Sequence, residues 1–309
     1  MEDYPKTLIE MERRFSSDEA CRQYLFQLRW PEGFVCPRCS GNKVWQMARG
    51  LWLCRTCRLQ VSVTAGTVFQ DSHLSLTAWF RAMWHITSQK NGVSALGLQR
   101  VLGLGSYKTA WALLHKLRRA MVRPGRDRLH GTIEVDETYW GGEEEGVTGR
   151  MTEDKALIVV AAEEDGKGIG RIRLRHIPDL TRVSLHGFIT ESVEPGSRVR
   201  TDGLNAYREL TDYVHDRQVQ RHQPEGEYLM PRVHRVVSLL KRWLLGTHQG
   251  AIGYEQLNYY LDEFTFRFKR RKSGSRGKLF FRLAQQAVRV EPTPFASLSL
   301  AKPQSLVVG

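Results

Sequence analysis

Ile133-Glu134-Val135-Asp136-Glu137-Thr138-Tyr139-Trp140-Gly141-Gly142 is a β-favouring run that acids interrupt and a glycine turn closes. Strand side chains alternate between faces, so Ile133, Val135, Glu137 and Tyr139 are expected on one side and Glu134, Asp136 and Thr138 on the other. Asp136 then faces a cleft or solvent, where a carboxylate can hold a metal. A second acid closes a second short strand signal, Ser197-Arg198-Val199-Arg200-Thr201-Asp202, and Gly203 again supplies a tight exit. Two strand-end aspartates suggest a divalent-cation site. Taken singly, each reads better as the cap of the turn or helix that follows it.

A third segment shifts that balance. Val233-His234-Arg235-Val236-Val237-Ser238-Leu239-Leu240-Lys241-Arg242-Trp243 reads as a helix. Seven residues are close to two turns, so His234 and Lys241 share one face roughly 10 Å apart along the axis. The first suits a metal and the second a phosphate.

These segments, with Gly246-Thr247-His248 and Tyr260-Leu261-Asp262-Glu263-Phe264-Thr265-Phe266-Arg267-Phe268, span most of residues 130 to 285. Together the chain resembles the bacterial insertion-sequence transposases with a ribonuclease H-like DDE domain, in the branch that carries an N-terminal zinc ribbon. The resemblance implies a DNA transposase that cleaves and joins strands at the ends of an insertion sequence. Asp136, Asp202 and His234 would hold two catalytic ions, Mg²⁺ or Mn²⁺, across a scissile phosphate, and Lys241 would grip a nearby phosphate or the terminal base. It also implies double-stranded DNA as partner, both element ends and target, and a homodimer or larger assembly on DNA.

The chain departs from the family pattern at one position. The third acid of the superfamily should stand seven residues before the lysine, and His234 stands there. Imidazole suits Mn²⁺, Zn²⁺ or Fe better than Mg²⁺, which prefers oxygen. Glu227 and Glu263 are the alternatives for a displaced third ligand, the one reading as a loop charge and the other as a solvated or structural residue. Two rival classes stay open: a catalytically inactive or domesticated zinc-ribbon DNA-binding protein, and a ribonuclease H-like nuclease for branched nucleic acid.

Working outward, the strand with Asp136 precedes an apolar strand around Val159, a strand over Arg171–Ile177, a helix over Val183–Ile189 and the short strand ending at Asp202. That order fits an α/β, ribonuclease H-like core. Leu257, Tyr260, Leu261, Phe264 and Phe268 form the stripe of a last helix, expected to pack on this core with Arg267 and Lys269-Arg270-Arg271-Lys272 outside. Glu143-Glu144-Glu145-Gly146 reads as a solvated turn.

Upstream, Cys36-Pro37-Arg38-Cys39 and Cys54-Arg55-Thr56-Cys57 are two matched pairs with residues 40–53 between them. This spacing is just below the usual range for a four-cysteine zinc ribbon, and a structural Zn²⁺ is expected. A redox dithiol has no use for the second pair. Arg38, Lys43, Arg55 and Arg58 read as exposed DNA contacts, Trp45 and Trp52 as filling the small core, and Cys21 as a semi-buried thiol. Leu76, Trp79, Phe80, Met83, Trp84 and Thr87 lie on one helical face. A glycine turn at Gly103-Leu104-Gly105 then joins two helices into a helix-turn-helix-like module, the second displaying Lys108, His115, Lys116, Arg118 and Arg119. The expected domains are a ribbon over 17–66, a helical module over 70–124, the transposase domain over 128–288 and a loosely ordered tail over 289–309.

The balance of 46 Lys and Arg against 33 Asp and Glu, a formal charge of +13, favours a polyanionic partner. The longest apolar run, Ala156–Ala162, is far short of the roughly 20 residues that a membrane-spanning helix needs. Met1–Pro5 lacks the apolar core of a secretory signal, so a cytoplasmic protein is expected.

Overall fold

The computed structural model describes residues 2–123, 125–142, 155–219 and 229–299. Glu227, the Glu143–Gly146 stretch and residues 300–309 lie outside the described residues. In chain order the elements begin with α1 (Leu8–Arg14), α2 (Asp18–Arg29), β1 (Val44–Gln46), β2 (Trp52–Cys54), β3 (Gln60–Val61), α3 (Leu76–Ser88), α4 (Ala95–Leu102) and α5 (Tyr107–Arg119). Next come β4 (Thr132–Trp140), β5 (Ala156–Asp165), β6 (Gly168–Ile177), α6 (Arg182–Ser192), β7 (Arg198–Thr201), β8 (Val214–Arg217), α7 (Pro231–His248) and α8 (Leu257–Lys269). The last two are α9 (Arg276–Ala287) and α10 (Phe295–Ser299). They divide into two units, one of residues up to 124 with 272–301, the other of residues 125–271.

The second unit is built on a five-stranded sheet in the order β6-β5-β4-β7-β8. Strands β4, β5 and β6 form an antiparallel meander, while β7 runs parallel to β4 and β8 parallel to β7. This is the ribonuclease H-like arrangement, in an α/β fold with helices on both faces. Ile133, Val135, Val159 and Val199 meet Leu185, Phe188 and Ile189 of α6 on one face. Ile158, Val160 and Ala162 meet Val233, Val236, Leu240 and Leu244 of α7, with Leu261 and Phe264 of α8, on the other. Both central strands are covered on two sides, which is why β5 reads as a continuous apolar run. Strand β8 escapes the sequence reading, because Val214-His215-Asp216-Arg217 is an edge strand with little apolar signal.

Helix α7 starts with Pro231 in its first turn and ends at Gln249 in the left-handed conformation. Its buried positions Val233, Val236, Leu240 and Leu244 recur at helical spacing, so His234 and Arg235 stay outside.

In the first unit, α3 buries Leu76, Trp79, Phe80, Met83, Trp84 and Thr87 as expected. Helix α9 joins this unit, not the ribonuclease H-like one, so the expected limit at 288 is too long. Its Phe280 ring lies 5.6 Å from Phe80, 5.8 Å from Phe15 and 5.9 Å from Trp84. Gly277 abuts the Pro5 carbonyl so closely that a Cβ there would stand 1.6 Å from its oxygen. The tail beyond 289 also holds more order than expected, since Leu298 of α10 is fully buried and Phe295 meets Trp111. Among the described residues no helix is long and apolar enough to cross a membrane.

Candidate functional site

Parallel pairing of β4 with β7 runs from Thr132↔Arg198 to Glu134↔Arg200 and stops. Two residues further along each strand stand Asp136 and Asp202, facing one another where the ladder opens. Carboxylate oxygens of Asp136, Glu137 and Asp202 all lie within 4.8 Å of one another. The Asp136 carboxylate also accepts the Glu137 amide N–H at 2.9 Å, and the Asp202 carboxylate accepts that of Leu204 at 2.8 Å. Each acid thus serves its local turn as well as the cluster.

Glu137 is the member that strand alternation assigned to the apolar face. It does lie on the opposite face from Asp136, but β7 ends beside it and leaves no neighbour to separate the two. Its Oε2 accepts the hydroxyl of buried Tyr207 at 2.9 Å. The adjacent Asp-Glu pair at the end of strand pairing was the signal available in the sequence.

His234 comes to this cluster from the first turn of α7, its Nε2 3.2 Å from Asp136 Oδ2. Burial pushes the Asp136 carboxyl above its ordinary value, and the charge of Asp202 adds to this, against the pull of the Glu137 amide and His234. Lys241 is half-buried two turns along α7. Partial burial and the nearby Lys155 ammonium both lower its pKa. Lys241 lies on the helix face that carries His234, and Lys155 precedes β5. Glu263 is fully buried and bonded to Arg267 Nε at 2.8 Å, so it is a structural ion pair and not a displaced ligand or a solvated charge. Arg267 is consequently inside. Arg270 and Arg271 lie over the Phe266 and Phe268 rings; Arg270 is half-buried, while Lys269, Arg271 and Lys272 are exposed.

Do these residues fit a divalent cation? Three oxygen donors of a hard type converge from two strands, which suits Mg²⁺ or Mn²⁺. Oxygens on one such ion, each about 2.1 Å from it, stand roughly 3–4 Å apart, so small side-chain adjustments close the site.

The cysteines form the second cluster, with Cys36, Cys39, Cys54 and Cys57 sulfurs within 4.8 Å of one another. Cys36 to Cys57 and Cys39 to Cys54 are both 3.6 Å, near the ~3.8 Å edge of a tetrahedron with Zn–S bonds of about 2.3 Å. Each knuckle repeats one design. Ser40 and Arg58 take positive φ of 56° and 60°, and their amides return to the Cys36 and Cys54 carbonyls at 2.9 Å. The Cys57 and Thr56 amides hold the Cys54 thiol down at about 6, favouring the thiolate that zinc needs. Four sulfurs at this spacing fit Zn²⁺.

Around the ribbon, Arg38, Lys43, Arg55 and Arg58 are exposed. Trp52 is buried and stacks on Phe26, whereas Trp45 is 66% exposed and does not fill the core. It faces outward because β1 is the edge of the three-stranded sheet. Cys21 is fully buried in α2. In α5, His115 and Arg118 are buried, unlike the expected recognition surface, and Lys108 remains fully outward. Their positions fall on the helix face that also carries Leu114 and Leu117.

The second unit is therefore a ribonuclease H-like domain with a strand-end carboxylate centre, and a four-cysteine zinc ribbon precedes it in the chain. The ISXO2-like transposase domain matches residues 128–269, and the transposase zinc-ribbon domain matches residues 16–60. The chain thus carries a transposase zinc ribbon ahead of a DDE-type transposase domain. It is similar to an uncharacterized protein in transposable element ISH50 of Halobacterium salinarum, 28% identical over 280 residues, covering 82% of this chain and 92% of that one. Among solved structures, the catalytic core domain of BIV integrase aligns at 15% identity over 47% of this chain and 86% of its own, with a TM-score of 0.29.

Proposed function

We propose that this transposase binds the ends of an insertion sequence and catalyses metal-dependent strand cleavage and strand transfer there. The observation that carries the reading is the cross-strand placement of Asp136 and Asp202 at the end of the β4–β7 ladder, with Glu137 and His234 beside them. Asp136 and Asp202, with His234, would hold two ions, Mg²⁺ or Mn²⁺. When bound, such ions act as Lewis acids that neutralise charge on the scissile phosphate and favour attack by water or a DNA 3′-hydroxyl. Glu137 is a further ligand candidate, and the Tyr207 hydroxyl orients it. Lys241 and Lys155 offer cationic charge for flanking phosphates. Burial and the nearby Lys155 ammonium lower the proton affinity of Lys241, and a bound phosphate would offset this. The ribbon, through Arg38, Lys43, Arg55 and Arg58, and the α4–α5 module, through Lys108, supply backbone contacts that set register on DNA. Work on two element ends calls for at least a dimer on DNA.

The test uses purified protein, a labelled duplex element end, and Asp136→Ala beside the wild type. The reading expects wild-type nicking in Mg²⁺ or Mn²⁺, and an Asp136→Ala variant that folds and binds the end but does not nick it. Full activity in the variant removes the site. Tight binding without cleavage by the wild type, in either metal, supports the non-catalytic DNA-binding alternative.

A further inference from the structure

Glu134 lies two residues before Asp136 on the same face of β4, and its side chain is fully buried. A buried carboxylate is costly without partners, and all of those shown lie at the start of α7. Glu134 Oε2 accepts the amide N–H groups of Arg232 at 2.8 Å and Val233 at 2.9 Å. Oε1 accepts the Arg232 guanidinium at 3.0 Å. No side chain of the local sequence caps this helix, because the residue at its N-cap is Met230. Glu134 thus caps α7 from across the fold, and the positive end of the helix dipole favours its charge.

The guanidinium extends the connection. Arg232 Nε donates to the Gly168 carbonyl at 3.1 Å, and Nη2 donates to Glu164 Oε1 at 2.6 Å and to the Gly166 carbonyl at 2.9 Å. These groups lie in and beside the β5–β6 turn, so one planar fork ties β4, that turn and the first turn of α7 together. The next residue after Val233 is His234, the group against Asp136. Glu134 and Asp136 are two residues apart on one face of β4, and they meet Arg232 and His234, two residues apart in the first turn of α7.

We infer that Glu134, with Arg232, is a positioning residue that sets His234 against Asp136 and so fixes the geometry of the carboxylate centre. This rests on the proposed metal site. Glu134 itself touches neither substrate nor ion.

The test compares the full chain with Glu134→Gln, His234→Ala and the double variant. Each is checked for folding by circular dichroism and thermal unfolding, then titrated with Mn²⁺ alone by electron paramagnetic resonance without DNA. Removing an outer partner of a metal ligand commonly weakens affinity by about tenfold or more. Glu134→Gln is expected to weaken Mn²⁺ binding to that degree, as is His234→Ala, and the double variant is expected to be no weaker than His234→Ala alone. Hydrogen exchange at the Arg232 and Val233 amides should speed up in Glu134→Gln. A folded Glu134→Gln variant with lowered Tm but wild-type Mn²⁺ affinity overturns the inference and leaves the site reading standing. Unchanged affinity in His234→Ala overturns His234 as a ligand, and the positioning role with it. If Glu134→Gln does not fold, Arg232→Met keeps the carboxylate and its two amide donors while cutting the fork. It must then show the same coupling to His234→Ala, and additive effects overturn the inference.

Discussion

In the proposed centre the metal preference turns on His234, whose imidazole stands beside Asp136 where the family pattern has an acid. Replacing it with glutamate would restore an all-oxygen donor set, and oxygen donors favour Mg²⁺. His234→Glu is therefore expected to nick DNA in Mg²⁺ at least as fast as the wild type, while His234→Ala loses about tenfold or more in both metals. Single-turnover nicking rates in the two metals check this. A His234→Glu variant that works only in Mn²⁺ contradicts it. Asp136 was legible as an acid inside a strand signal and Asp202 as an acid that closes one, and the helical spacing put His234 and Lys241 on one face. Glu137 was not, because alternation places it on the opposite face from Asp136, and only the end of β7 beside it, which the sequence does not mark, lets the carboxylates meet. Trp45, His115 and Arg118 were misplaced for a related reason. Residue type alone does not say whether a helix face or a sheet edge looks outward.

At the scale of elements, the β5–β6 hairpin depends on Glu163. Burial alone would raise its carboxyl, yet the Arg171 guanidinium at 2.6 Å and the amides of Arg171 and His130 outweigh this and hold it at about 2. An acid lowered in the folded state stabilises the fold above its ordinary value of 4.5, and that contribution is lost as pH falls towards 2. Glu163→Gln should therefore lower Tm at pH 7, and the difference from the wild type should shrink steadily between about pH 4.5 and 2. A Tm difference that does not change with pH would show that the charge is not the cause. The ribbon offers a second check. Its three strands are only two or three residues long, too short for independent stability, so the four thiolates must hold it. Cys54→Ser, or a strong chelator, should release zinc and unfold the ribbon, measured as zinc content and loss of structure. Retention of stoichiometric zinc by Cys54→Ser would rule out a four-sulfur site. The matched Cys-x-x-Cys pairs made this cluster legible, whereas the paired left-handed residues Ser40 and Arg58 carry no signal by residue type.

Across the whole molecule, the chain leaves the N-terminal unit near residue 124 and re-enters it near 272, so the ribonuclease H-like domain is inserted between parts of the other unit. Helix α9 lies beyond the helix read from the sequence as the last, and periodicity cannot say which core such a segment joins. The aromatic contacts of Phe280 decide it. Phe280→Ala should cost about 3–5 kcal/mol in the N-terminal unit. It should leave the carboxylate centre's Mn²⁺ affinity unchanged, which thermal unfolding and metal titration check together. The net charge of +13 was legible from composition alone, and it carries its own consequence. End binding should weaken steeply with salt, by about 10³–10⁵ between 50 and 200 mM if 6–10 phosphates are contacted. The most direct measurement of the account is a strand-joining assay with a pre-nicked, labelled element end and a plasmid target in Mg²⁺ and in Mn²⁺, run for wild type and Asp202→Ala. The account predicts joined products with the wild type and none with a folded, end-binding Asp202→Ala. Joining that survives in Asp202→Ala, or its absence from the wild type in both metals, would contradict a catalytic centre at the β4–β7 opening.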